Sequence, residues 1–329
     1  MKQVSVRDIL REVFGSEAEV CGEMPLYGSD LNQIRKLRLS TGDAVFMKCN
    51  SRKRVDSFRA EAEGLEAIRK TGCIPTPAVL GYGIDSETQE SFLLLEFLES
   101  GRGRTDSWER FGRQLAAMHR ADTRSYLNAG ADSGTAGCGI GHHGSVCESG
   151  ISGTAADAGT RRMFGFSSDN YIGLSPQENA PAGSWTDFFR ERRIEPQVRR
   201  AERYFSGAQL RQFASLLDHL DHFLTEPAYP SLLHGDLWAG NAMPCADGTI
   251  RLIDPAVYVG DREADLAMTE LFGGFPEAFY GAYRETAPPE PGYEDRKELY
   301  NLYHLLNHLN LFGGGYLSEV LAVLRRYTG

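Results

Sequence analysis

The sequence predicts an α+β fold of two lobes, a small N-terminal lobe built on a β-sheet with one helix and a larger, mainly helical C-terminal lobe. A strand, a helix and a second strand follow one another between residues 44 and 98, before a glycine-rich segment at 101–103. From residue 106 onward the spacing of apolar residues is mostly helical. The chain of 329 residues is long enough for about two domains. We place the lobes at residues 1–100 and 101–329.

The N-terminal lobe begins with residues 1 to about 20, which predict a short amphipathic helix. A weakly alternating segment follows at 26–39 and contains a tight turn at 28–32. The apolar run 44–49 comes directly after a turn and predicts a strand. Residues 58–70 then predict a helix, because their apolar side chains recur on one face. The continuous apolar run at 91–98 predicts a buried strand.

The C-terminal lobe is predicted as a series of helices. Their approximate bounds are 108–119, 185–205, 207–224, 263–285, 295–312 and 316–327. Residues 125–160 interrupt the series with a composition rich in Gly, Ala, Ser and Thr, which buries too little surface to offset its ordering entropy. We interpret this segment as a flexible surface insertion. It carries side chains of metal-ligating type, but its surroundings offer little to orient them, so we favour a loop over a metal site. These side chains are Cys138, His142, His143 and Cys147.

Composition and charge exclude several classes of function. The formal charge of −10 argues against a nucleic-acid-binding protein, which needs a basic face. We find no secretion signal and no apolar span long enough for a membrane, and expect neither export nor insertion. The six cysteines are scattered along the chain, as in proteins of a reducing compartment. We therefore expect a cytoplasmic protein.

A phosphoryl-transfer motif is the most informative feature of the chain. Residues 234–241 read His-Gly-Asp-Leu-Trp-Ala-Gly-Asn, and Asp254 follows a short apolar run. Asp236 and Asn241 have the Asp-to-Asn spacing of a protein-kinase catalytic loop, and a metal-binding Asp follows a strand there too. One carboxylate must face the attacking hydroxyl, while an amide oxygen and a second carboxylate converge on Mg²⁺.

Each half of this motif also has an ordinary interpretation. His-Gly-Asp is common in turns, and Asp-Pro often ends a strand. Between the halves, however, residues 246–249 predict a hairpin turn with Asp247-Gly248 at its tip. The hairpin would return Asn241 and Asp254 to the same end of two paired strands. We therefore favour the functional interpretation.

A kinase also needs a cation for the nucleotide phosphates and an acid that holds this cation. Lys48 ends the first strand and suits the first role, although a solvated lysine is the commoner case. Glu61 on the following helix is the expected partner, because it lies near the apolar face. Glu63 points elsewhere and is the alternative. The turn containing Gly28 and Ser29 could cover the phosphates.

With these residues the chain resembles the fructosamine (ketosamine) kinase family, which has a protein-kinase-like, aminoglycoside-phosphotransferase-like fold. The later matching segments separate this family from aminoglycoside and choline kinases. The matching segments are 46–50, 58–65, 164–166, 169–173, 176–179, 234–241, 254–256, 262–267, 271–275 and 299–310.

The resemblance implies a transferase that uses ATP and Mg²⁺ to phosphorylate a sugar hydroxyl of a ketosamine, the 3-hydroxyl in fructosamines. The phosphorylated adduct then decays and releases the amine, which amounts to deglycation. Fructosamine and ribulosamine adducts, free or on a protein or peptide, all remain open as substrates. Asp236 would be the catalytic residue, and Asn241 and Asp254 would hold the metal.

The remaining expected site residues bind the two substrates. Lys48, Glu61, Gly28 and Ser29 would surround the nucleotide phosphates, and the backbone at Glu96 and Leu98 would meet adenine. Trp238 could wall the acceptor pocket and attract the substrate amine through its ring face, or simply pack in the large lobe. His304 could line the same pocket, or belong to a helix packed on the catalytic loop.

The chain departs from the family pattern at three places, and two other functions stay open. The insertion at 125–160 is additional, Asp30 stands in the phosphate turn where some members carry a redox-active cysteine, and Asp261 stands where a histidine is usual. The alternatives are a kinase for another hydroxylated amine, such as an aminoglycoside, and a nucleotide-binding pseudokinase.

Overall fold

A computed structural model describes residues 3–26, 31–127 and 162–329. Gly28, Ser29 and Asp30 of the predicted phosphate turn lie outside these residues. So does most of the predicted insertion, including its two cysteines and two histidines.

In the described part of the N-terminal region, six strands form one sheet in the order β1-β5-β6-β4-β3-β2, and only the β1–β5 pair is parallel. Two helices cover its faces. The strands are β1 Gln3–Val4, β2 Val20–Leu26, β3 Gln33–Leu39, β4 Ala44–Asn50, β5 Val79–Asp85 and β6 Ser91–Glu96, and the helices are α1 Val6–Phe14 and α2 Val55–Lys70. The helix predicted over residues 1–20 is therefore shorter, because β2 begins at Val20.

The alternation within β4 decides which side chains face α2. Lys48 pairs directly with Leu93 of β6, and residues directly opposite in a sheet point to the same face. Leu93 packs with Phe58 and Leu65 of α2. Lys48 consequently lies under α2, while Val45 belongs to the apolar cluster on the opposite face, which α1 covers.

The region after residue 100 is mainly helical around one large apolar cluster. Its helices are α3 Thr105–His119, α4 Trp185–Phe188, α5 Glu195–Arg200, α6 Gly207–Asp218, α7 Arg262–Leu271, α8 Glu277–Thr286, α9 Tyr293–Phe312 and α10 Leu317–Thr328. Among the residues of this region that the structure describes, three short strand pairs accompany them. They are β7 Asn170–Ile172 with β8 Ser175–Gln177, β9 Ser231–Leu233 with β12 Tyr258–Gly260, and β10 Ala242–Pro244 with β11 Ile250–Leu252.

Three helical segments are shorter than the sequence suggests. The one predicted over 207–224 ends as α6 at Asp218. The segment 185–205 is interrupted by a π-helical turn at Phe189–Ile194, which ends two residues before Pro196, a residue with no N–H to donate. The segment 263–285 divides into α7 and α8. Gly273 and Gly274 lie between them with φ values of +92° and +74°, which favour glycine.

Candidate active site

The catalytic loop begins where β9 ends, and His234 braces it. The His234 Nε2–H donates to the carbonyl of Ile253 at 2.9 Å, and its Nδ1 accepts the backbone N–H of Asp236 at 3.3 Å. Both ring nitrogens are therefore used inside the protein. This geometry makes His234 a structural brace between the loop and the strand that precedes Asp254, not a base.

Asp265 of α7 anchors the same loop from the other side. Its carboxylate accepts the backbone N–H groups of His234 at 2.7 Å and Gly235 at 2.9 Å, and lies 3.3 Å from His119 Nε2. Burial raises the pKa of Asp265, but His119 and these N–H donors outweigh it and lower the pKa overall. The buried carboxylate therefore stays ionised and fixes the loop to the start of α7.

Gly235 allows the loop to approach the segment after Asp254. Its φ is +81°, in the region that favours glycine. A Cβ at this position would collide with the carbonyl oxygen of Ala256 and would lie 2.8 Å from its carbonyl carbon. The close approach of the two backbones thus excludes a side chain at residue 235.

Asp236 and Asn241 are joined by the amide of Asn241. Its Nδ2 donates to the Asp236 carbonyl at 2.8 Å and to Asp236 Oδ2 at 3.2 Å. No described residue donates a hydrogen bond to Asn241 Oδ1, so this oxygen is available to a cation. Burial and the nearby charge of Asp254 raise the pKa of Asp236 to about 7, although Asn241 opposes the shift.

Asp254 lies next to this pair, as the predicted hairpin requires. Ala242 pairs with Leu252, and the Ile253 N–H donates to the Asn241 carbonyl at 3.1 Å. The backbone of Asp254 has a φ of +53°, uncommon for a residue with a side chain and more frequent at functional sites. Its side chain is 47% exposed. The amide and carboxylate oxygens of Asn241 and Asp254 are ligands of the kind Mg²⁺ prefers.

Lys48 connects the sheet to these acids. Its Nζ donates to Glu61 Oε1 at 2.8 Å and also contacts Asp254. Burial lowers the pKa of Lys48, but Asp254 and Glu61 outweigh this effect and raise it. Glu63, the alternative partner, instead pairs with Arg59 at 2.9 Å and accepts the Ser168 hydroxyl at 3.2 Å.

The expected adenine-binding residues lie where β6 ends. The carboxylate of Glu96 accepts Arg251 Nη1 at 3.0 Å and the Ala78 N–H at 3.1 Å. Its side chain is therefore engaged within the protein, and its backbone N–H donates to the Ala78 carbonyl at 2.9 Å.

A cavity of about 750 Å³ joins the acids to an aromatic group. One part of the cavity wall carries charged side chains, here called the charged group, and another part carries ring side chains, here called the aromatic group. The charged group consists of Lys48, Glu61, Asp236 and Asp254, and the aromatic group of Trp238, Phe272, His308, Phe312 and Tyr316.

The two residues expected at the acceptor pocket occupy different positions relative to this cavity. Trp238 lines it and is 39% exposed. His304 is 3% exposed and lies behind the wall, with its Nδ1 3.9 Å from Asp236 Oδ1. His308, one helical turn further along α9, lines the cavity instead. Asp261, the departure at the usual histidine position, caps α7 and accepts the Tyr300 hydroxyl at 2.6 Å.

Sequence reasoning missed a buried support behind Asp254. Gln177 Nε2 donates to the Ala256 carbonyl at 2.9 Å, and Asn170 Nδ2 donates to the Val257 carbonyl at 2.7 Å. Both residues lie in the segments 169–173 and 176–179, whose resemblance to the family was the available signal. These bonds hold the backbone that follows Asp254.

Comparisons with known proteins agree with this architecture. A model of the fructosamine kinase family matches residues 2–133 and 153–328. A probable ketoamine kinase from Synechocystis is 40% identical over 282 residues, covering 85% of this chain and 82% of the relative. The ketosamine-3-kinase of Mus musculus is 34% identical, covering 86% and 88%.

A solved structure extends the comparison to the fold. The crystal structure of a fructosamine-3-kinase homologue from Haemophilus somnus superposes with a TM-score of 0.79 at 29% identity, covering 99% of this chain and 97% of that one. The predicted α+β, protein-kinase-like fold is thereby confirmed. Within the described ranges, none of the helices combines the length and apolarity needed to span a membrane. Since the family model matches nearly all of the chain on both sides of residues 134–152, this chain belongs to the fructosamine kinase family.

Proposed function

We propose that this protein is an ATP-dependent kinase that phosphorylates the 3-hydroxyl of ketosamines, the sugar adducts of amines. The observation that carries the proposal is the meeting of Lys48, Asp236, Asn241 and Asp254 at one cavity in a chain of the fructosamine kinase family. Relatives named ketosamine-3-kinase and protein-ribulosamine 3-kinase support this substrate class. A pseudokinase would not need all four side chains in this arrangement.

In the proposed reaction each of these side chains has one task. Asp236 orients the sugar hydroxyl and accepts its proton. Lys48, held by Glu61, neutralises the phosphates of ATP. Asn241 and Asp254 would hold Mg²⁺, which when bound shields the phosphate charge. Gly28 and Ser29 would cover the phosphates, and the backbone at Glu96 and Leu98 would contact adenine.

The acceptor would enter along the aromatic group. Trp238, two residues after Asp236, would wall the pocket and attract the substrate amine through its ring face. We propose that His304 supports the acceptor site from behind this wall, where its Nδ1 lies 3.9 Å from Asp236 Oδ1. The acceptor is either a small ketosamine or a glycated lysine on a peptide or protein.

The direct test is ADP release with Mg·ATP and a panel of acceptors. The panel contains fructoselysine, ribuloselysine, a glycated protein and kanamycin. Turnover on the ketosamines, and its absence on kanamycin, is the expected result. Tight ATP binding without turnover of any ketosamine would overturn the proposal, and turnover of kanamycin alone would indicate an aminoglycoside kinase.

The pH dependence of turnover should report the ionisation of Asp236. A carboxylate whose pKa is raised to about 7 is protonated below that pH and cannot accept the hydroxyl proton. We expect kcat/KM for Mg·ATP, which reflects the enzyme before it binds nucleotide and cation, to fall by about tenfold for each pH unit below 7. The kcat should hold to lower pH, because a bound cation favours the ionised carboxylate. A flat kcat/KM profile from pH 8 to pH 5 would contradict the assignment.

A further inference from the structure

The two ring nitrogens of His308, which lines the cavity, have different roles. Its Nδ1 lies 2.8 Å from the carbonyl oxygen of His304, four residues earlier in α9. A carbonyl only accepts, so the proton of the neutral ring is on Nδ1, and Nε2 carries the lone pair. No described residue donates a hydrogen bond to this Nε2. Burial lowers the pKa of His308, which keeps the ring neutral near pH 7.

Aromatic rings surround His308 on the cavity side. Its ring centroid lies 4.9 Å from Phe272, 5.4 Å from Phe312 and 5.1 Å from Tyr316. The cluster continues to Trp238, whose ring is 6.4 Å from Phe272 and nearly perpendicular to it. Ring faces attract cations, most strongly where water is excluded.

The exposure of this group points to a ligand. Phe312 is 53% exposed and Trp238 is 39% exposed, although each is a large apolar side chain beside a concave surface. Four large hydrophobic side chains are exposed in the described part of the chain, and two of them, Trp238 and Phe312, line the cavity. Exposed apolar surface at a cavity commonly marks a binding site.

The charges of the cavity wall are unevenly distributed. Its described carboxylates are Glu61, Asp236 and Asp254, all in the charged group. The aromatic group contains none, and the half-buried imidazole of His308 offers it a hydrogen-bond acceptor, whose ring orientation is fixed by the Nδ1 bond to the His304 carbonyl. This part of the cavity therefore suits a group that donates hydrogen bonds and carries a delocalised or shielded positive charge.

We propose that His308 Nε2 accepts a hydrogen bond from the protonated secondary amine of the ketosamine, while the surrounding rings shield its charge. This inference rests on the proposed function and explains how the enzyme would distinguish ketosamines from sugars that carry no amine. The amine is the group that distinguishes the two classes, and it is a donor, as the lone pair on Nε2 requires. His308 would thus determine specificity without taking part in phosphoryl transfer.

The test compares a fructosamine with its ether analogue, in which oxygen replaces the amine nitrogen. Each is measured as a substrate or, if it is not phosphorylated, as a competitive inhibitor of the other. We expect His308→Phe to raise the KM for the fructosamine by about ten- to a hundredfold, the range for a hydrogen bond to a charged group. Its kcat, its KM for ATP and its affinity for the ether should change by less than about threefold.

Two further variants separate recognition from packing. His219 makes the same bond within its own helical segment, from Nδ1 to the Ser215 carbonyl at 2.8 Å, but it is exposed and does not line the cavity. His219→Phe should leave every parameter unchanged. His308→Gln retains an acceptor near the position of Nε2 and should recover part of the fructosamine affinity. It also keeps the test valid if the phenylalanine variant unfolds.

The possible results are distinct. Equal losses for the fructosamine and the ether in His308→Phe would overturn this inference and leave the proposed function intact. Absence of fructosamine turnover in the wild-type enzyme would overturn the proposed function, and this inference with it. A loss confined to the fructosamine, partly recovered by glutamine, supports amine recognition by Nε2.

Discussion

Asp236→Asn is expected to bind Mg·ATP with nearly wild-type affinity and to turn over acceptor about 10²- to 10⁴-fold more slowly. Asparagine has almost the same shape and can still accept the Asn241 amide, which contacts Asp236 Oδ2 at 3.2 Å. It cannot accept a proton from the sugar hydroxyl. The loss should therefore appear in kcat, while the KM for ATP stays within about threefold.

The same variant has a testable effect on stability. Burial and Asp254 raise the pKa of Asp236 from 3.8 to about 7. The folded state therefore binds more protons than the unfolded state between these values, and the wild-type protein loses stability as the pH rises through them. A neutral asparagine avoids this loss. The stability of Asp236→Asn relative to wild type should consequently increase from about pH 4 to pH 7.

Denaturant titrations at several pH values, with steady-state kinetics beside them, check both statements. If kcat falls by less than tenfold, Asp236 is not the proton acceptor. If the relative stability is constant with pH, the carboxylate is ionised in the folded protein over the whole range, and its pKa is not raised.

Gly235→Ala is expected to have the second large effect, because its Cβ would collide with the backbone of Ala256. The change should cost about 3 kcal/mol or more, combining a strained φ with a displaced backbone. Ala256 follows Asp254 by two residues. Moving it would separate Asp254 from Asp236, so activity should fall strongly even where the variant folds.

Gly248 provides a matched control for this substitution. Its φ of +80° equals that of Gly235 within a degree, but a Cβ there would meet nothing within 4 Å. Gly248→Ala should cost only about 1–2 kcal/mol from the left-handed backbone and should keep its activity. Equal destabilisation of the two variants in thermal and denaturant unfolding would show that the contact with Ala256 is unimportant.

Much of the candidate site follows from spacing along the chain. The Asp236-to-Asn241 interval and the hairpin at Asp247-Gly248 are local features, and a hairpin brings its two ends together whatever surrounds it. The choice of Glu61 over Glu63 also follows from helical periodicity. The structure brings Lys48 and Glu61 within 2.8 Å, whereas Glu63 pairs with Arg59.

Other features depend on contacts between distant segments. Periodicity predicts one helix over 185–205, but the observed π-helical turn carries the buried Arg193, whose guanidinium bonds to the Glu178 carbonyl at 2.6 Å and Asn179 Oδ1 at 2.7 Å. The Arg193 guanidinium carbon also lies 3.9 Å from the centroid of the Tyr258 ring, and Tyr258 is 65 residues further along the chain. A local pattern contains no information about such partners.

The sequence by itself determined the fold class, the family and the order of the proposed phosphoryl-transfer residues, because these depend on short-range spacing and on motifs. The tertiary structure alone decided which position along α9 reaches the cavity. His304 and His308 are one turn apart and share a face in any helical projection, yet one is buried behind Asp236 and the other lines the cavity. Helical periodicity cannot predict that difference, because it depends on how the neighbouring elements pack along the length of α9.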